Sequence, residues 1–252
     1  NQGRHADAMQ ALQRALDLDP DNPDVHLNLG LAADHMGEPA RARGHFESAL
    51  RLAPDHVDAM FNLGAVCLGQ NELDAARLWF ERALALAPRH ADAAVNLGIV
   101  LEKQQLLEPA IVAFRRALEI DPSAVLAREG LASVCMSTGR FKEAVGHLQE
   151  LARADSRQPG LLAALAEALF ETGELDESKS VAEQAIAFDP KASGPYGTLA
   201  DIHAVRGEFD RMMAALQSGV DHAGAISLLG KLTFQLRRLC DCLNVSDFAG
   251  DY

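Results

Sequence analysis

The chain is built on a repeat of 34 residues. A short apolar stretch beginning with Ala-Leu or Ala-Ile recurs along it and ends each time in a proline. These prolines are Pro20, Pro54, Pro88, Pro122 and Pro190. Neighbouring prolines are 34 residues apart, and the last gap of 68 spans a copy in which Ser156 replaces proline. A fixed period of this length predicts similar structural units stacked in chain order, each packing mainly on its neighbours.

Several columns of the repeat hold either small or large apolar residues. One column contains Leu29, Leu63, Leu97, Leu131, Leu165 and Leu199, and the next contains Gly30, Gly64, Gly98, Ala132, Ala166 and Ala200. A second small-residue column contains Ala42, Ala76, Ala110, Ala144, Ser178 and Met212, and is followed by Phe46, Phe80, Phe114, Leu148, Ala182 and Leu216. Small residues suit the closest approach of two helices, and large ones fill the space beside it.

Each unit reads as two helices joined by a turn. In the unit after Pro54, the pattern predicts helices over about 58–70 and 74–86, with the turn at Gly69, Gln70 and Asn71. Pro39 and Pro109 fall in the first turn of second helices, where a missing N–H costs little. The repeat prolines should end the second helices, because the residue before a proline is pushed out of the α region.

With its Leu-Gly, Ala, Phe, Ala and Pro columns, the unit resembles the tetratricopeptide repeat. The resemblance implies an all-α fold, a right-handed α-solenoid of antiparallel helix pairs, with a concave surface lined by the first helix of each unit. It divides the chain into six units: 23–56, 57–90, 91–124, 125–158, 159–192 and 193–226. Residues 1–22 then form the C-terminal part of an earlier unit, and residues 227–252 a C-terminal capping or linker helix.

Composition narrows the classes of function. The net charge of −13 is spread evenly and includes no basic stripe, so nucleic-acid binding is not expected. No apolar run approaches the roughly 18 residues of a membrane span, and four cysteines are too few for a disulfide framework. We expect a cytoplasmic location and no membrane insertion. No catalytic motif, metal-ligand spacing or phosphate-binding loop is present, so no enzyme activity or cofactor is predicted for this chain.

A pair of polar residues recurs in three consecutive first helices. Asp24 and Asn28 are four residues apart, and so are Asp58 and Asn62, and Asp92 and Asn96. Positions i and i+4 lie on one face of a helix. We call these six residues the Asp/Asn ladder. The residues three positions after each Asn are Leu31, Ala65 and Ile99, so the ladder is not part of a general charged rim.

Two interpretations of the ladder stay open. Asp in the first turn favours the positive end of the helix dipole, and Asn can satisfy a neighbouring backbone group, which would make both architectural. Alternatively, the Asn amides bind the backbone of an extended peptide, because an amide offers both a donor and an acceptor. Asp would then add a preference for Ser, Thr, Lys or Arg.

The ladder stops after the third unit. Gly130, Ala164 and Thr198 occupy the Asn column in the later units. Acidic residues are predicted for the same face there: Glu129, Glu167, Glu171 and Asp201. Paired Lys and Arg residues, which repeat domains use to hold a C-terminal carboxylate, are missing from the first helices. Trp79 lies on a second helix, where packing is expected rather than a peptide pocket.

The segment after residue 226 loses the period and reads as an amphipathic helix with a short tail. A helix that caps the last repeat is one interpretation. The stretch "LRRLCDCLNVSDF" also resembles the segment that joins repeats to the catalytic region in O-GlcNAc transferase and SPINDLY-type glycosyltransferases. Cys240 and Asp241 match that segment, whereas Cys242 stands where Trp is expected. The resemblance implies a nucleotide-sugar site beyond residue 252, and those enzymes carry an Asn ladder on their repeats.

These features together predict a binding module. Its partner would be a protein or an extended peptide, either Ser/Thr-rich or basic, held along the concave face. A more specific hypothesis makes the chain the substrate-recognising arm of an O-linked glycosyltransferase. The alternative is a structural scaffold that self-associates through its convex face or its ends.

Overall fold

The computed structural model describes residues 2–223 and Gly230, and this part of the chain contains thirteen α-helices and no β-strand. The helices are α1 (Gln2–Leu18), α2 (Pro23–His35), α3 (Pro39–Leu52), α4 (Val57–Gly69), α5 (Leu73–Leu86), α6 (Ala91–Lys103), α7 (Leu107–Ile120), α8 (Val125–Ser137), α9 (Phe141–Ala154), α10 (Pro159–Glu171), α11 (Leu175–Phe188), α12 (Ser193–Val205) and α13 (Phe209–Ala223). The predicted all-α solenoid class is confirmed. The segment 227–252, predicted to be a capping or linker helix, lies outside the described residues apart from Gly230.

The chain divides into two compact units, Asn1–Val134 and Cys135–Tyr252. In the N-terminal unit, α2 packs on α3, α4 on α5 and α6 on α7. In the C-terminal unit, α10 packs on α11 and α12 on α13. We call the even-numbered helices from α2 to α12 the first helices, and the odd-numbered helices from α3 to α13 the second helices. The division into six 34-residue units at the stated boundaries stays a prediction.

The second helices end where the repeat prolines require it. In α3, α5 and α7 the residue after the helix has an extended backbone, as Ala53 shows with φ −130° and ψ 90°. Its N–H still bonds to the carbonyl of Ala49, which closes the last turn. The helices predicted at 58–70 and 74–86 begin and end within one residue of those positions, at Val57–Gly69 and Leu73–Leu86.

The core of the first three helix pairs is a phenylalanine ring packed on a glycine. Phe46, Phe80 and Phe114 are at most 1% exposed. A Cβ atom placed on Gly30 would lie 2.4 Å from the Phe46 ring, and the same crowding recurs at Gly64 and Gly98. The small-residue column of the second helices is equally buried, and Ser178 occupies it by donating a 2.6 Å hydrogen bond to the carbonyl of Ala166.

Candidate peptide-binding surface

The first helices lie beside one another within each compact unit. In the N-terminal unit α2 contacts α4 and α4 contacts α6, and in the C-terminal unit α10 contacts α12. The three helices that carry the Asp/Asn ladder are therefore neighbours. Because the residues of the ladder recur at the same position of each helix, the ladder forms three adjacent rungs on one side of the N-terminal unit.

The Asn side chains keep most of their hydrogen-bonding capacity. The Nδ2 atom of Asn28 donates to the carbonyl of Asp24 at 2.8 Å, and that of Asn62 donates to the carbonyl of Asp58 at 2.7 Å. Within residues 2–223, Asn96 makes no side-chain hydrogen bond. Each bonded amide still has one free N–H and a free oxygen, because an amide offers two donors and two lone pairs. The backbone bond thus gives Asn28 and Asn62 an architectural role, and it also orients the free N–H and the free oxygen of each amide.

The Asp residues project from the first turns of α2, α4 and α6 and are exposed. The Asp24 side chain is 77% exposed, and its Oδ1 atom lies 3.1 Å from Nε2 of His56. His56 is the residue before α4, so this contact joins one first helix to the start of the next. Within residues 2–223, no hydrogen bond or ion pair ties the carboxylate of Asp58 or Asp92, and both remain open to a partner.

Two histidines, His56 and His90, lie immediately before the ladder helices α4 and α6. His56 contacts Asp24, as described above. His90 caps α6, because its Nδ1 accepts a hydrogen bond from the N–H of Ala93 at 3.2 Å. Its ring lies 4.8 Å from that of Phe61, the residue before Asn62. The recurrence of His immediately before two first helices was the available sequence signal for this role.

The surface next to the Asn residues is apolar and partly accessible. Leu31, Ala65 and Ile99 are all half-buried. A polar row with free donors and acceptors beside a shallow apolar row is chemically suited to an extended chain, whose backbone needs hydrogen bonds and whose side chains point alternately to two sides.

The Asn column ends at Gly130, which lies against a ring. A Cβ atom on Gly130 would lie 2.3 Å from the Phe114 ring, which is already pressed against Gly98. Phe46 and Phe80 precede Asn62 and Asn96 by sixteen positions, as Phe114 precedes Gly130, so a ring in this column is compatible with Asn. The ring therefore does not by itself account for the loss of Asn at residue 130.

The predicted acidic residues lie on first helices of both compact units. Glu129 is exposed on α8, Glu167 and Glu171 are exposed on α10, and Asp201 is half-buried on α12. The structure brings the six ladder residues together on α2, α4 and α6, with Glu129 in the same unit. The other three acidic residues belong to the C-terminal unit.

Other chemistries find no support in the part of the chain that the structure describes. No group of three or more His, Cys, Asp or Glu side chains there could hold a metal ion. Cys67 and Cys135 are buried and form no disulfide bond, and burial raises the pKa of the Cys67 thiol. Trp79 is half-buried on α5. Between residues 2 and 223, no helix combines the length and apolar character needed to cross a bilayer.

Solved structures share this arrangement of helices. YrrB, described as a TPR protein with an unusual peptide-binding site, has a TM-score of 0.69 and 20% identity, over 79% of this chain and 100% of its own. PilF of Pseudomonas aeruginosa has a TM-score of 0.64 and 19% identity, over 84% and 97%. A tetratricopeptide repeat protein of Parabacteroides merdae has a TM-score of 0.59 and 20% identity, over 92% and 91%. At these identities the likeness concerns the fold.

Family models extend over most of the chain. A tetratricopeptide repeat model matches residues 27–91, 80–125 and 95–159, which is more than half of the sequence. A TPR repeat model matches residues 1–37, and a further tetratricopeptide repeat model matches 136–202. Comparison with curated proteins gives no match. The resemblance read from the repeat columns is confirmed: the chain belongs to the tetratricopeptide repeat family.

Proposed function

We propose that the chain is a binding module that holds an extended peptide segment of a partner protein across α2, α4 and α6. The observation that carries this proposal is the state of the three Asn amides. Two of them are fixed by one backbone bond each, and all three keep free donors and acceptors. Preoriented groups lose less freedom on binding than flexible ones, so a row of them suits a ligand that repeats its own donors and acceptors.

The charges of the ladder support a basic partner. Asp24, Asp58 and Asp92 stand in a row on neighbouring helices, and no Lys or Arg occupies the ladder positions. Coulomb attraction at an exposed surface is modest for one pair but favours Lys- or Arg-containing segments when several carboxylates act together. Ser and Thr hydroxyls can donate to the same carboxylates, which keeps Ser/Thr-rich segments within the proposal.

The likeness to YrrB supports a peptide as the ligand. YrrB is described as having a peptide-binding site, and the present chain covers all of its length. The two proteins share the fold at a TM-score of 0.69. The residues proposed here as contacts are nevertheless chosen from the geometry of this chain.

A charge-swap experiment tests the proposal. The probe is a short fluorescein-labelled peptide rich in Lys, Ser and Thr, followed by fluorescence anisotropy. Replacing Asp24, Asp58 and Asp92 by Asn should weaken binding several-fold at low salt and flatten its salt dependence. The matched control replaces exposed glutamates of second helices by Gln, which changes the net charge equally: Glu47, Glu81 and Glu119. Equal effects of the two sets would show that the attraction depends on net charge alone, and would contradict the ladder as the binding site.

The more specific form of the proposal is that the module recognises substrates for an O-linked glycosyltransferase. It is supported by the resemblance of "LRRLCDCLNVSDF" to the segment before the catalytic region of such enzymes. Reading the gene beyond the codon for Tyr252 tests it. A glycosyltransferase region there would support a role in substrate recognition for such an enzyme, whereas an immediate stop codon or an unrelated domain would exclude this role.

Self-association is the second candidate, and exposed apolar residues on the second helices favour it. Leu78 on α5 is 53% exposed, and Val112, at the same repeat position on α7, is 66% exposed. Light scattering over a concentration series tests this. A mass that rises with concentration, and stays monomeric when Leu78 and Val112 are replaced by Ser, would support a scaffold. A constant monomer mass in the parent chain would exclude it.

A further inference from the structure

The carbonyl groups of four of the five repeat prolines are capped by side chains. The bonds run from His26 Nε2 to Pro20 (3.3 Å), from Arg116 to Pro88 (2.9 Å), from Arg128 to Pro122 (2.5 Å) and from the Tyr196 hydroxyl to Pro190 (3.2 Å). Two repeat positions supply the donor. One is the fourth residue of the following first helix, and the other, used by Arg116, lies on the following second helix. Capping these loop carbonyls is thus a regular feature of the described repeats.

Pro54 is the exception. Within the described residues, no side chain or backbone group donates to its carbonyl oxygen. The fourth residue of the following first helix is Met60, whose thioether has no hydrogen to donate. Arg82 stands at the position that Arg116 occupies one unit later, but its guanidinium group lies over the Trp79 ring, 4.8 Å from the centroid. It makes no hydrogen bond.

Trp79 accounts for the different behaviour of the two arginines. The residue three positions before Arg116 is Ala113, which offers no ring for stacking. An arginine over an indole face gains about 0.5 to 2 kcal/mol, comparable to one hydrogen bond, so Trp79 competes with the Pro54 carbonyl for Arg82. With Arg82 held by Trp79, the space beside Pro54 is left open.

That space is an open recess of about 530 Å³, lined by Pro54, Asp55, Met60, Arg82, Ala85 and Leu86. Most of the lining is apolar, and Leu86 is 51% exposed. The loop supplies two acceptors, the Pro54 carbonyl and the Asp55 carboxylate, and α5 supplies the Arg82 guanidinium group that lies over the Trp79 ring. A complementary ligand has an apolar body and a hydrogen-bond donor at its end, and it carries no negative charge there.

The sixth unit shows which side chain satisfies such a loop. Tyr196, at the repeat position of Met60, is 5% exposed, and its hydroxyl caps the Pro190 carbonyl. We propose that the recess beside Pro54 is a second binding site, which takes a tyrosine side chain of a partner protein, with the phenol hydroxyl donating to the Pro54 carbonyl. The site lies at the loop between α3 and α4 and is separate from the Asp/Asn ladder.

The probes are N-acetyl-tyrosinamide and N-acetyl-phenylalaninamide, which differ by the hydroxyl alone. The readout is the ¹³C-labelled ε-methyl group of Met60, assigned through the Met60→Leu variant. We expect a saturable shift of this signal, with binding of the phenylalanine probe weaker by about 2- to 10-fold, the value of one hydrogen bond. Equal affinities, or the absence of a Met60 shift, would overturn the proposal.

Two variants at residue 79 test how the site is kept open. Trp79→Ala should release Arg82 to cap Pro54, as Arg116 caps Pro88, and should abolish tyrosine binding. Trp79→Phe keeps a ring for Arg82 and should retain binding. Unchanged binding in Trp79→Ala would contradict the account. Leu86→Asn, at an exposed position that leaves the core intact, provides a further check, because it should weaken both probes, and equal binding to the parent chain would also overturn the site.

Discussion

At the scale of single residues, the turn between the helices of each pair imposes one demand on the backbone. The residue at this position has a left-handed conformation in six successive turns, and it is Gly37, Asn71, Gln105, Gly139, Gly173 or Gly207. Glycine adopts this conformation at no steric cost and Asn tolerates it, but Gln does not have the short side chain that helps Asn. Gln105, with φ 60°, is therefore the strained member of the set.

Replacing Gln105 by Gly should stabilise the protein. Relief of the left-handed strain, about 1 to 2 kcal/mol, exceeds the extra chain entropy of glycine, about 0.5 to 1 kcal/mol. We expect a net gain of about 0.5 to 1 kcal/mol in the free energy of unfolding, measured by urea denaturation. Gln105→Ala is the control and should give no gain, since it keeps the Cβ atom. A lower urea midpoint for Gln105→Gly would show that no strain is stored there.

A second residue-scale prediction concerns pH. His203, which is buried, donates from Nδ1 to Glu208 at 2.6 Å, and Arg211 donates to the same oxygen. These bonds, chiefly the one from His203, hold the pKa of Glu208 below its ordinary value of 4.5. The ionised carboxylate therefore stabilises the fold above the ordinary pKa, and this contribution disappears as the pH falls through the lowered one.

Glu208→Gln should accordingly lower stability at neutral pH and lose its effect in acid. Urea denaturation of both proteins from pH 7 downward measures the difference. The two curves should converge below pH 4.5. A difference that stays constant through the acid range would mean that the carboxylate charge does not contribute.

At the scale of helix pairs, a glycine on the first helix and a phenylalanine on the second helix occur in the same units. The units with Gly30, Gly64 and Gly98 have Phe in the facing column, whereas the units with Ala132, Ala166 and Ala200 have no Phe there. The first three pairs thus bring their helices together over a ring with no Cβ between them. The two positions compensate for each other within one helix pair, because a bulkier residue on one helix requires a smaller one on the other.

Gly30→Ala should destabilise the protein even though alanine favours helices. Its Cβ atom would lie 2.4 Å from the Phe46 ring, and overpacking of this kind costs about 1 to 3 kcal/mol. The matched control is Gly44→Ala on α3, where nothing lies within 4 Å of the new Cβ atom, and a gain of about 1 kcal/mol is expected. Thermal unfolding of both variants measures the effects. Shifts of the same sign would contradict the packing account.

Helix bounds and core columns could be predicted because they depend on contacts that recur with the period of the chain. The close approach of the Phe114 ring to Gly130 could not be predicted, since the two residues are sixteen positions apart along the chain and the approach depends on how the helices pack. The roles of His56 and His90 depend on contacts between neighbouring repeats, with Asp24 and Phe61 respectively. Column patterns show which residues recur, whereas contacts of this kind can be identified only from the distances between side chains.

At the scale of the whole molecule, repetition places contacts that are weak individually side by side on one surface. One exposed amide or carboxylate contributes little to affinity, but the ladder places three of each on neighbouring helices. The loop recess beside Pro54 arises differently, from one unit in which a regular contact is missing. Periodic positions would then hold the backbone of a partner, and the irregular position would select a side chain.

The central claim is that the free amide groups of the ladder bind a peptide backbone. The direct test replaces Asn28, Asn62 and Asn96 together by Ala and measures the anisotropy of the Lys-, Ser- and Thr-rich probe. Alanine is the better helix former, so the fold should keep its stability, which urea denaturation checks. Loss of three hydrogen bonds at about 0.5 to 1.5 kcal/mol each predicts an affinity at least about tenfold lower. An unchanged affinity in a folded variant would contradict the claim and leave the Asn residues a purely architectural role.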